Sequence, residues 1–143
     1  MSQNYKKLKQ MKKKSYIPEN NPHKQNTGLR RLFLAFVNSI SGFNFAIKEE
    51  SAFRQELLLC LFLVPLIFIF PTSPIEKILM IGSLLLLLIV ELLNSSIEAA
   101  IDRISFSHHD LSKRAKDLGS AAVLVALSLV VITYLSVLTK FLI

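Results

Sequence analysis

The chain has no tryptophan, one cysteine, four glycines and five prolines among its 143 residues. A lone Cys60 excludes an intrachain disulfide and a cysteine-built metal cluster; inside LLLCLFL it reads as a small packing residue. With glycines only at 28, 42, 82 and 119, neither a Walker-A loop nor a glycine-rich kinase loop can be assembled. The apolar runs hold few glycines or prolines and show no period-two alternation, which argues against a turn-rich β fold. Acidic residues are also scarce, 10 against 17 Lys and Arg.

What is abundant is apolar: 52% of the chain is hydrophobic. An all-α membrane protein is the expected class. The net charge of +7 does not indicate nucleic acid, because it is distributed as an orientation signal. Eleven of the 17 basic residues lie at or before Arg54 and four lie between Arg103 and Lys116. Positive charge held on one side of alternating spans places the N-terminus and the loop FSHHDLSKRAKD in the cytoplasm and the C-terminus outside.

Residues 1–28 carry KKLKQMKKK and read as a basic, disordered cytoplasmic tail, with docking on anionic lipid as the second reading. From Leu29 to Lys48 the residues Leu29, Leu32, Phe33, Phe36, Val37, Ile40, Phe43 and Ile47 recur at helical spacing. They predict an amphipathic helix lying at the membrane surface over about 29–48. Three spans are expected next, at about 50–70, 75–104 and 116–140. The uncharged run Leu57 to Phe70 gives only about 21 Å of helix against a hydrocarbon core of about 30 Å. The first span must therefore take its first turns from EESAFRQE. PTSP, at 71–74, reads as the turn into the second span.

That second span raises the chemical question, since ILMIGSLLLLLIV continues without a turn signal into ELLNSSIEAAIDR. Glu91, Asn94, Glu98 and Asp102 fall within a sector about 80° wide on one helix face. Glu91 stands about 16 Å deeper than Asp102. Ionisable groups at that depth cost about 2.5–3.5 kcal/mol each on the insertion scale and normally face a bundle interior with a function. The plainer reading is polar glue, in which the carboxylates pair with one another or with Arg103 and the Glu56 region. Carboxylates around an Asn at a membrane boundary suit a hard divalent cation such as Mg²⁺, and Lys113, Arg114 and Lys116 can neutralise phosphate. Glu91 is then free to accept a proton from an apolar alcohol. The residues by themselves read as phosphoryl transfer from a soluble donor to a membrane alcohol. An ion-conducting bundle is the alternative from another class; the apolar run before Glu91 leaves it no polar path to the far side. His108 and His109 read as solvated or capping residues, and Gly119 to Ala122 as a close-packing stretch.

Three blocks resemble one family: ELLNSSIEAAIDR at 91–103, EESAFRQE at 49–56 and HHDLSKRAKDLGSAAV at 108–123. In these blocks, and over about residues 29–143, the chain is similar to the small integral-membrane diacylglycerol kinases of bacteria. The resemblance implies a homotrimer in the inner membrane, each chain with a surface helix and three spans, and active sites at subunit boundaries. It implies direct transfer from ATP to diacylglycerol, without a phosphoenzyme. Glu91 would be the general base and Asn94 would position the reacting groups. Glu50 and Glu98 would hold the Mg²⁺ that bridges the ATP phosphates. The nucleotide would be engaged by Lys116, Asp117, Asp102 and Arg31, and the substrate by Glu56, Glu91 and Ser120. Glu49 stands where relatives can carry Asn, and Asn44 where some have a basic residue. A sister branch acts on undecaprenol and typically carries Thr-Ala after the signature Asn; Ser95 and Ser96 here look more like the diacylglycerol branch.

Overall fold

A computed structural model describes residues 28–105 and 107–141; the residue-1–27 part of the expected basic tail lies outside the described residues. Every regular element among them is helical. In chain order they are α1 (Gly28–Glu49), α2 (Ser51–Ile69), α3 (Pro74–Ile104), α4 (Asp110–Leu138) and a short 3₁₀ turn, Thr139–Phe141. The chain divides within α1, between Ser41 and Gly42, into two compact units. The first contributes the N-terminal part of α1. The second contains the rest of α1 and the three long helices.

One residue separates α1 from α2. Glu50 adopts an extended conformation, φ −95° and ψ 110°, and its backbone N–H still donates to the Ala46 carbonyl at 3.1 Å. The guanidinium of Arg54 donates to the carbonyls of Ile47 and Lys48 at 3.2 and 3.0 Å. Those carbonyls belong to the last turn of α1, which has no partners of its own. An arginine four residues into the next helix thus replaces the glycine that commonly ends a helix. Phe43 and Phe53, with ring centroids 6.5 Å apart, pack across the same corner.

α2 starts at Ser51, so EESAFRQE does supply the first turns of the first span, and 19 residues give about 28 Å of helix. Pro65 is accommodated inside it. At the α2–α3 turn Thr72 is buried and its hydroxyl donates to the Ile67 carbonyl at 3.3 Å. Ser73 then caps α3 in a reciprocal capping box with Glu76, and Pro74 occupies the first turn, where its missing N–H costs no hydrogen bond. α3 runs 31 residues without a break, about 46 Å. α4 begins at Asp110, six residues before the expected start of the third span, because the polar DLSKRAKD is itself helical. His109 accepts the Leu111 N–H through Nδ1 at 3.2 Å, and the Lys113–Asp117 pair lies at helical spacing.

Three helices are long and apolar enough to cross a membrane: Ser51–Ile69, Pro74–Ile104 and Asp110–Phe141. Their shared core is Cys60 and Ile67 of α2, Met80, Leu84 and Leu87 of α3, and Ala126, Val130, Tyr134 and Val137 of α4. The outward faces carry Leu58, Leu61, Phe62, Phe68, Leu124 and Val125, all exposed, as helices satisfied in their own backbone can do in lipid.

Candidate active site

Because α3 does not break at Val90, its face continues in register past the apolar core. Leu84 and Leu87 are buried on it, and the next buried position is Glu91, only 2% exposed. One turn on, Asn94 is half-buried and its Nδ2 donates to Glu98 Oε1 at 3.2 Å. One turn further Asp102 accepts from Lys116 Nζ at 2.6 Å, joining α3 to α4. The four residues grouped by spacing thus lie as one ladder, from a buried carboxylate to a half-exposed ion pair.

Two further carboxylates approach it from the start of α2. Glu50, the residue between α1 and α2, lies within electrostatic reach of Glu91, as does Glu98. Glu91 stands in the same relation to Glu56. None of Glu50, Glu56, Glu91 and Glu98 has an ion-pair partner among the described residues. Arg103, considered above as a partner, is exposed. Arg54, the nearest cation in sequence to Glu56, is turned to the end of α1. Among the described residues two side-chain oxygens are buried without a hydrogen bond, Glu56 Oε2 and Asn94 Oδ1. Buried polar atoms are nearly always satisfied, and exceptions ask for a water, an ion or a reacting group.

The donor set fits a divalent cation. Mg²⁺ takes oxygen ligands and is usually held by one or two carboxylates together with water and substrate phosphate. No group of three or more His, Cys, Asp or Glu able to hold a metal stands among the described residues, so the chain offers a partial shell. Glu50 and Glu98 both lie near Glu91.

Where α3 ends and α4 begins, a cleft of about 430 Å³ is lined by Asp102, Ser105, His108, Ser112, Lys113 and Lys116, among others. This is within the range of about 300–1,000 Å³ common for small-molecule sites. Asp117 lines the same cleft and is paired with Lys113 at 2.5 Å. Ser120 is exposed on α4, and Arg31 is exposed on the part of α1 that belongs to the first unit. Spacing alone missed three things: the Arg54 clamp on α1, the Lys113–Asp117 pair, and Gly119 lying against Asn94. The second was legible as Lys-x-x-x-Asp; the other two join residues through folding.

These features define a three-span helical membrane protein with a carboxylate site at one end of the bundle. The family model for prokaryotic diacylglycerol kinase matches residues 37–138, and the chain belongs to that family. It is 50% identical to the diacylglycerol kinase of Pseudomonas aeruginosa over 117 residues, 82% of this chain and 95% of the relative. The diacylglycerol kinase of Haemophilus influenzae is 46% identical over 77% of this chain and 93% of its own length. That of Escherichia coli K12 is 45% identical over 76% of this chain and 88% of its own length.

Proposed function

We propose that this chain transfers the γ-phosphoryl group of ATP directly to the hydroxyl of diacylglycerol, giving phosphatidic acid and ADP. The observation that carries the reading is Glu91, a buried carboxylate without an ion-pair partner among the described residues. It lies on the same face of α3 as Glu98, two turns away. Glu91 takes the proton of the lipid hydroxyl as that oxygen bonds to the γ-phosphorus. The bond from that phosphorus to the β–γ bridging oxygen breaks, and ADP leaves with its electron pair. Asn94 holds the Glu98 carboxylate, so base and metal ligand keep one spacing. When bound, Mg²⁺ neutralises phosphate oxygens and the charge that develops in transfer; Glu50 and Glu98 would hold it. Lys116, Asp102 and Asp117 face the nucleotide at the cleft, and Glu56 and Ser120 contact the substrate.

The same reading places the chain in a bacterial inner membrane as a homotrimer. Its N-terminus is cytoplasmic, its C-terminus is outside and α1 lies along the interface. The distribution of Lys and Arg supports the orientation. Apolar grooves support helix-to-helix association: one of about 720 Å³ runs along α2 past Leu57, Leu61, Val64 and Pro65.

The test is transfer of label from γ-labelled ATP by the purified full chain in mixed micelles with Mg²⁺, diacylglycerol and undecaprenol being offered separately. Labelled phosphatidic acid is expected. Label in the polyprenol alone would move the substrate to the sister branch, and label in neither would overturn the kinase reading. Native mass measurement in detergent reports the subunit number.

A further inference from the structure

Four glycines occur in the chain, and they differ in what surrounds them. A side chain added at Gly42 or Gly82 would meet nothing within 4 Å. At Gly119, buried in α4, the three atoms nearest an added Cβ all belong to the Asn94 side chain: Oδ1, in overlap, then Cγ at 3.3 Å and Cβ at 3.8 Å. Glycine is disfavoured against alanine inside a helix. In membrane helices it is usually kept where two backbones approach. Here the space is taken by an amide group instead. That amide is the one whose Nδ2 donates to Glu98 Oε1 and whose Oδ1 is buried without a partner among the described residues.

We infer that Gly119 is a positioning residue: its missing side chain is the seat that holds the Asn94 amide toward Glu98. This deepens the phosphoryl-transfer reading and rests on it. The overlapping atom is the tip of a side chain with two rotatable bonds, so a methyl group at 119 displaces the amide more readily than it displaces α3. The fold survives and the geometry of the site does not.

The experiment compares Gly119→Ala, Asn94→Ala and the double variant as full chains in detergent. Three quantities are read: phosphoryl transfer, the thermal unfolding midpoint, and the side-chain amide signals of chains labelled with ¹⁵N-asparagine. The Asn94 signal is assigned by its loss in Asn94→Ala. Gly119→Ala is expected to move that signal and to keep a midpoint no lower than the parent. It should lower kcat by about tenfold or more, the scale of a displaced positioning group. The Mg²⁺ requirement should rise while KM for diacylglycerol stays unchanged. On the Asn94→Ala background the same substitution should cost nothing further, since contacting residues couple non-additively.

A normal kcat in Gly119→Ala, or a full additional loss on the Asn94→Ala background, overturns the inference. If Gly119→Ala fails to fold, the double variant decides. Restored folding places the clash at Asn94, and continued failure rejects the assignment. Should the parent chain itself transfer no phosphate, the kinase reading fails. The amide signal then judges Gly119 alone, with an unmoved signal counting against it.

Discussion

α3 carries carboxylates towards both ends and treats them oppositely. At its start, Glu76 is held three ways: its side chain accepts the Ser73 N–H at 2.7 Å, its own N–H donates to Ser73 Oγ, and Lys140 pairs with it from beyond α4. Fifteen residues later Glu91 is buried, has no ion-pair partner among the described residues and lies among Glu50, Glu56 and Glu98. One helix and one residue type thus give a satisfied end and a frustrated end. A carboxylate placed for the fold is capped and paired. One without an ion-pair partner among the described residues is left open to a proton or a cation.

Substitutions should divide along this contrast. Glu91→Gln keeps shape and removes the base; turnover should fall by about 10²–10⁴-fold with the unfolding midpoint retained. Near-normal transfer of γ-label would return Glu91 to the structural class. Glu98→Ala should act through the cation, raising the Mg²⁺ concentration for half-maximal rate by about 10–100-fold. A titration of rate against Mg²⁺ distinguishes this from a loss of kcat at saturating metal. Lys116→Ala removes the charge that joins α4 to Asp102 at 2.6 Å and should raise KM for ATP about tenfold with a smaller change in kcat. An equal fall in kcat and in kcat/KM would instead give Lys116 a role confined to the transition state.

How much of this was legible in the sequence follows the range of the interaction. The three spans were, because apolar length is a local property and the membrane sets the length required. So was the alignment of Glu91, Asn94, Glu98 and Asp102, which needs only an unbroken helix. The one-residue corner at Glu50 was not foreseen in its details. It has no turn residues to announce it, and it is stabilised by Arg54 reaching back to Ile47 and Lys48. The approach of Glu50 to Glu91 depends on how α2 packs on α3, which periodicity does not encode. Gly119 was visible as a glycine in a small-residue run, yet its neighbour Asn94 lies 25 positions away on another helix. Even the capping box at Ser73, readable as Ser-x-x-Glu, gave no hint that Lys140 would join it.

That clasp gives the smallest expected effect and the sharpest control. Lys140→Ala removes the partner of Glu76 and leaves the Ser73 capping box intact. Exposed ion pairs contribute little and are screened by salt. The unfolding midpoint in detergent should therefore drop by at most a few degrees, and the drop should shrink in high salt. Phosphoryl transfer at low temperature should stay at the parental level, because the clasp lies at the opposite end of α3 from Glu91 and Glu98. A large loss of activity without loss of stability would mean that α3 couples its two ends, and the division between a structural and a chemical half would have to be given up.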